Sequence, residues 1–182
     1  MSETCVPASF ATRGGWWVVA QFILMFSVVL LGVVAHGDWT RLYVIVPGGG
    51  LFCLGGYFGI AGVIALGENR TPFPQPRPNS RLVQSGIYGR VRHPLYTSVM
   101  LVSIGWSLIW QSLWSFLVAV LLIPFLNAKA RREERALRKT FYGYSDYANA
   151  VPRFLPHWKP HRQISCDLKP RPGSMQKDNH EM

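Results

Sequence analysis

Apolar residues in this chain come in long blocks rather than at a short period. Residues 14–35 (GGWWVVAQFILMFSVVLLGVVA) and 42–66 (LYVIVPGGGLFCLGGYFGIAGVIAL) carry no ionisable side chain, and a third uncharged block fills residues 94–128. A membrane-spanning helix needs about 20 apolar residues at ~1.5 Å each, so each of the first two blocks makes one crossing. The third block, 35 residues long, is too long for one crossing and accommodates two short ones. Its middle, WSLIWQSLW, supplies Gln111 and Ser112 where a hairpin can turn. The pattern therefore predicts an all-α integral membrane protein with about four transmembrane helices. A cleavable signal peptide is a poorer account of the first block. That block exceeds the ~7–15 residues of a signal core, and VVAHGD is a weak cleavage site.

The polar stretches complete the layout. GENRTPFPQPRPNSRL has four prolines between residues 72 and 78, which restricts φ, removes backbone donors and predicts a stiff extended surface loop. After the third block, NAKARREERALRKTF consists of good helix formers. The first 13 residues are polar, and from about Cys166 onward the chain lacks periodicity, as expected of loose termini. Three parts result: a two-helix membrane segment (1–66), a core of loop, helical hairpin, amphipathic helix and C-terminal segment (67–158), and a basic tail (159–182). The two halves share no motif that would mark an internal repeat. In the second block, Gly55 and Gly59 form a small-xxx-small pair suited to close helix packing. A nucleotide-binding glycine loop would instead need a strand before it and water around it.

Charge gives the chain a direction. The formal net charge is +10, with five Lys or Arg in residues 67–93 and twelve in 127–182, against Arg41 alone in the 36–41 connection and none at 108–114. Basic loops stay in the cytoplasm, which predicts cytoplasmic termini, middle loop and tail, in a bacterial inner membrane or the endoplasmic reticulum. Trp39, Trp110 and Trp114 fall at the opposite interface, and Trp16 and Trp17 at the cytoplasmic one. Cys5, Cys53 and Cys166 have no disulfide or zinc spacing, so no metal is expected. Topology and anionic headgroups account for the basic excess without nucleic acid.

Candidate chemistry gathers in two segments on that cytoplasmic side. In GIYGRVRHPLYTS, Pro94 suits the first position of a helix with His93 at its N-cap, beside Arg90 and Arg92, and with Tyr88 and Tyr96 near. A helix N-terminus among arginines suits a carboxylate or phosphate, although for either arginine alone headgroup anchoring is the better account, and simple capping is the plain alternative for His93. In the post-hairpin helix, Leu126, Ala130, Glu133 and Leu137 share one face, so Glu133 is expected to point inward. Lys129 lies one turn before Glu133 on the same face, and Glu134, about 100° away, is expected to point toward water. A solvated ion pair of ~0.3–0.5 kcal/mol is the plain alternative for such charges. A hairpin returns the chain to its starting side, so YGRVRHPLY and KARREERAL should be neighbours.

These segments carry a resemblance. LVQSGIYGRVRHPLYTS and RREERALRKTFYGYSDYANAVPRFLP, in that order over about residues 66–158, resemble the isoprenylcysteine carboxyl methyltransferase family, which is related to the membrane phospholipid methyltransferases. The resemblance implies S-adenosylmethionine bound at the cytoplasmic face by the C-terminal half. It places Ser80, Arg81, Leu82, Val83, Tyr88, His93, Pro94, Leu95, Tyr96 and Glu133 against the cofactor. Lys129 stands where the isoprenylcysteine enzymes carry a substrate-binding arginine, keeping the charge without the bidentate fork. The implied activity is methyl transfer to a lipophilic acceptor, an isoprenylcysteine-type carboxylate or a phospholipid-type amine, with Glu133 and Lys129 at the reacting end. Methyl transfer needs alignment above all, and positioning supplies ~7–11 kcal/mol of barrier reduction.

Two other classes compete. A membrane reductase of sterol-reductase-like layout would use NADPH, with Arg77, Arg81 and Arg90 available to its 2′-phosphate. A non-catalytic membrane adaptor would bind neither cofactor. Transport is disfavoured because the first two blocks contain no ionisable residue for an ion path.

Overall fold

A computed structural model describes residues 15–37, 41–67 and 82–156, and every element in it is helical. Helix α1 spans Gly15–Val34, α2 Leu42–Leu66, α3 Pro94–Ile109, α4 Leu113–Thr140 and α5 Tyr144–Ala150, with a 3-10 turn at Gly86–Gly89. Three of them, α1, α2 and α4, are long and apolar enough to cross a membrane, whereas α3 is a shorter apolar helix of 16 residues. At ~1.5 Å per residue α3 is about 24 Å long, somewhat under a bilayer core of ~30 Å. The four expected helices are present, and the hairpin turns where the polar pair was noted. Gln111 takes a positive φ of 50°, and Ser112 caps α4 by accepting from the Ser115 N–H.

Helix α3 is the central element, and apart from Pro94 and Met100 its buried residues are small or polar: Thr97, Ser103, Gly105 and Ser107. Small residues let α2 lie against it backbone to backbone. A Cβ added at Gly105 would stand 2.6 Å from the Phe52 nitrogen and 2.7 Å from the Gly48 carbonyl oxygen. At Gly55 it would meet Val102 at 2.8 Å, and at Gly59 the Ser98 hydroxyl at 2.7 Å, so the Gly55–Gly59 pair does bring a helix close, and that helix is α3. Gly49, Gly50 and Gly56 have nothing within 4 Å and face outward.

Helix α1 closes the other side against α4. Ser112 Oγ donates to the Leu31 carbonyl (2.9 Å) and Ser115 Oγ to that of Val28 (2.8 Å), buried hydroxyls spent on carbonyls of the neighbouring helix. Val28, Met100, Ala119, Leu122 and Leu126 form the core between α1, α3 and α4. Large apolar side chains such as Phe22, Phe26, Leu42, Tyr57, Ile64, Leu113 and Leu121 remain exposed, the surface expected of a bundle solvated by lipid. Trp16 and Trp17 open α1, whereas Trp110 and Trp114 lie at the hairpin end, on the opposite side of the bundle. Trp39, the proline-rich loop, Ser80, Arg81, Cys5, Cys166 and the basic tail lie outside the described residues.

Helix α4 is the longest, and 28 residues reach about 42 Å, more than a bilayer core. Its apolar part ends near Asn127, and the charged remainder continues past the membrane surface to pack against α5 and the segment that follows.

Candidate active site

The site forms where three pieces of chain converge, the last of them the charged half of α4. The first is the segment before α3. Its 3-10 turn buries Ile87, which packs with Val91 against Phe58 of α2 and leaves Tyr88 beside them. Leu82 joins Phe141, Tyr144, Tyr147 and Val151 in a second small core. Tyr147 Oη donates to the Tyr88 carbonyl at 2.7 Å, tying α5 to the turn. Burial pushes the Tyr147 phenol above its ordinary value, and burial with the nearby Glu133 charge does the same to Tyr88. Both are neutral hydroxyls at working pH.

The second piece is the segment after α5, which runs alongside the entry to α3. Arg92 N–H donates to the Pro152 carbonyl (2.9 Å), His93 N–H to that of Arg153 (3.1 Å), and Thr97 Oγ1 to that of Phe154 (2.9 Å). His93 occupies the N-cap position and Pro94 the first turn, as expected, but the His93 side chain makes no cap hydrogen bond. The N–H groups of Arg92 and His93 are thus spent on the C-terminal segment rather than left open to an anion.

The third piece is α4, and here the structure corrects one expectation. Glu134 does not point toward water: it is 4 % exposed and sits at the centre of a charged cluster. Arg153 donates from Nε to Glu134 Oε1 (2.9 Å) and from Nη2 to Oε2 (2.7 Å), a bidentate pair, and from Nη1 to Asn127 Oδ1 (2.8 Å). Arg92 Nη1 lies 3.0 Å from Glu134 Oε1 without hydrogen-bond geometry, so it adds charge rather than a directed bond. His93 Nε2 is 3.1 Å from Glu134 Oε1. The face argument counted apolar neighbours only. Beyond the bilayer, α4 is enclosed by polar segments, and its inner surface there is wider than the apolar stripe.

Glu133 faces the other side of the same imidazole. Its Oε2 accepts from Tyr96 Oη at 3.0 Å and lies 3.6 Å from His93 Nδ1, and the carboxylate side chain is 30 % exposed. Oε1 of Glu133 has no partner among the described residues. His93 and Tyr96 stack, ring centroids 5.3 Å apart and 6° from parallel, so both present their polar atoms to the same carboxylate. A carboxylate at Glu134 flanked by two guanidinium groups is an acceptor only, so the His93 Nε2 that faces it donates, while Nδ1 is turned toward Glu133.

Lys129 is 3 % exposed, with Nζ 2.5 Å from Gln21 Oε1 of α1 and 5.6 Å from the centre of the Tyr96 ring. The structure thus brings His93, Tyr96, Lys129 and Glu133 together, with Tyr88 close enough for Glu133 to act on its phenol. Pro94 and Leu95 instead lie against Gly62 of α2. Val83 is half-buried in the extended stretch before the turn, and Arg90 is exposed. Residues that sequence reasoning passed over are Gln21, Asn127 and Arg153. Arg153 had a signal, as the one cation in the proline-flanked VPRFLP, and so did Gln21, the one amide in α1. Asn127 had none. Among the described residues no three His, Cys, Asp or Glu side chains gather as metal ligands.

Two curated relatives are named for metal resistance. One, a cobalt-zinc-cadmium resistance protein of Cupriavidus metallidurans, is 32 % identical over 155 residues, covering 81 % of this chain and 66 % of the relative. The other, a nickel-cobalt-cadmium resistance protein of Alcaligenes xylosoxydans xylosoxydans, is 29 % identical over 170 residues, covering 88 % of this chain and 73 % of the relative. The chain therefore spans just under two thirds of the first relative's length. The family model for phospholipid methyltransferases matches residues 43–144, from the start of α2 to the start of α5. That span holds more than half of the sequence, with His93, Tyr96, Lys129, Glu133 and Glu134 inside it and Gln21, Arg153 and Phe154 outside, and the chain belongs to the phospholipid methyltransferase family.

Proposed function

We propose that the protein is an integral-membrane methyltransferase that uses S-adenosylmethionine to methylate a lipophilic acceptor at the cytoplasmic surface. The observation that carries this reading is the Glu133 carboxylate, oriented by Tyr96 and His93 through one oxygen while the other is unpartnered and open. A half-open carboxylate of that kind suits a cationic ligand, and the donor is a sulfonium that also bears an ammonium group. When bound, S-adenosylmethionine supplies an electrophilic methyl group. The chain's own residues then align the partners. Tyr88, Tyr96 and His93 form the polar wall beside Glu133, with Pro94 and Leu95 seating the entry of α3 against α2 behind it. Alignment is what a displacement at carbon chiefly needs. Lys129, near the membrane end of the site, suits an anionic oxygen of the acceptor. An acceptor with a proton to lose can hand it to Glu133, which His93 and Tyr96 hold in place.

The basic C-terminal half supports a cytoplasmic site, and the exposed apolar flanks of α1, α2 and α4 support sideways entry of a lipid-like acceptor. Calorimetry on the purified full chain tests the reading, with S-adenosylmethionine, S-adenosylhomocysteine and NADPH titrated in parallel. Saturable binding of the first two, lost in Glu133→Gln, is expected. Binding of NADPH alone would make the protein a reductase, and binding of none an adaptor.

A further inference from the structure

Lys129 and Glu133 stand one helical turn apart on α4, the spacing at which opposite charges normally pair along a helix. They do not pair. No ion pair joins them, and the Lys129 ammonium turns instead to Gln21 Oε1 on α1 and to the face of the Tyr96 ring. Gln21 is itself oriented, its Nε2 lying 3.8 Å from Met25 Sδ, which leaves Oε1 for the lysine. An amide in the apolar α1 is costly unless it is partnered, and here the partner is a cation that would otherwise sit on the site's carboxylate.

We propose that Gln21 is a positioning residue of the active site: by holding Lys129 away from Glu133 it keeps the Glu133 carboxylate open for a cationic ligand. Helix α1 lies outside the family-matched residues 43–144, so this role belongs to the chain's own N-terminal helix. Tyr96 completes the arrangement. Its ring lies beneath the ammonium while its hydroxyl holds Glu133 Oε2, so one side chain separates the two charges and orients both. The identity of the cationic ligand as the methyl donor rests on the function proposed above, whereas the separation of the charges does not.

Two measurements on the full chain in phosphatidylcholine nanodiscs test the proposal. The first is labelling of carboxylates with a water-soluble carbodiimide and glycinamide, read by peptide mass. Glu133 is expected to label several-fold more slowly in Gln21→Leu than in the wild type, as Lys129 swings onto it. Glu134, clamped and buried, should stay unlabelled in both. Equal Glu133 labelling overturns the proposal whether or not any cofactor binds. The second is calorimetric affinity for S-adenosylhomocysteine. Gln21→Leu should weaken it at least fivefold, and Gln21→Leu/Lys129→Gln, which removes the competing ammonium, should restore it to within twofold of wild type. Weakening that the double variant does not restore would make Gln21 a packing residue and overturn the proposal. No ligand binding by the wild type, together with the expected labelling change, would end the methyl-donor reading and leave the positioning role standing. Gln21→Glu gives a further check if the leucine variant fails to assemble. A carboxylate there retains Lys129, so Glu133 should label at the wild-type rate, and slower labelling would count against the proposal.

Discussion

Glu133 and Glu134 are consecutive in α4, and they hold the two nitrogens of one imidazole. Glu134 Oε1 is 3.1 Å from His93 Nε2, and Glu133 Oε2 is 3.6 Å from Nδ1. Glu134 is buried among Arg92 and Arg153, whereas Glu133 keeps one oxygen free. The first is clamped among buried charges and the second is open on one side, and the imidazole between them couples the two.

Substitution should separate these roles. Glu134→Gln leaves two guanidinium groups facing a neutral amide in a buried cluster and is expected to cost about 3 kcal/mol, the lower end for breaking a buried ion pair because Arg153 is partly exposed. Glu133→Gln should change stability by less than ~1 kcal/mol while removing cofactor binding. Thermal unfolding beside calorimetry checks both. Loss of binding without loss of stability in Glu134→Gln would contradict the division.

Arg153→Lys should be far from conservative. The fork to Glu134 and the Asn127 contact use three nitrogens in a plane, which a single ammonium does not reproduce. A loss of ~1–2 kcal/mol is expected on the scale of charged hydrogen bonds. Faster proteolysis after residue 150 would be its local signature, since Arg153 also anchors the segment that joins Arg92 and His93.

The α2–α3 contact predicts a contrast between glycines. Gly105→Ala puts a methyl group 2.6 Å from a backbone nitrogen that cannot move alone, and overpacking of that kind costs about 2–3 kcal/mol. Gly49→Ala meets nothing within 4 Å and should be neutral or gain ~0.5 kcal/mol of helix propensity. Unfolding of both variants in one detergent compares them directly, and equal effects would refute the close approach.

Tyr147→Phe should cost ~1 kcal/mol by leaving the Tyr88 carbonyl without its donor. The packing of Tyr147 against Phe141, Tyr144 and Val151 is preserved, so α5 should remain folded. Hydrogen exchange confined to residues 86–92 is the expected readout, and exchange spreading through α5 would show a wider role for the hydroxyl.

The membrane helices were legible because lipid imposes length and apolarity directly on the sequence, down to the turn at Gln111. Contact between the His93 and Glu133 segments followed from the hairpin alone. The error over Glu134 has a definite physical origin. A helical wheel tells inside from outside by apolarity, and around α4 the inside becomes ionic once the helix leaves the bilayer. Arg153 and Gln21 reach the cluster across separations of 19 residues from Glu134 and 108 from Lys129, which no local period encodes, whereas Asn127 stands two turns before Glu134 on α4 itself. Gln21 was the most accessible of the three, since an amide in an otherwise apolar span requires a partner.

The hydrogen bonds from Arg92 and His93 to Pro152 and Arg153 also set an order of events during synthesis. The α2–α3 contact needs nothing beyond residue 109, and α4 can pack as soon as it is inserted. Glu134 then lies beside Arg92 and His93 without its bidentate partner until the ribosome has released Arg153. A chain stalled or cut before that point would hold all its membrane helices and still lack the clamp on its charged cluster. Insertion into the bilayer and completion of the site are therefore separate steps, and the second waits on a few residues close behind α5.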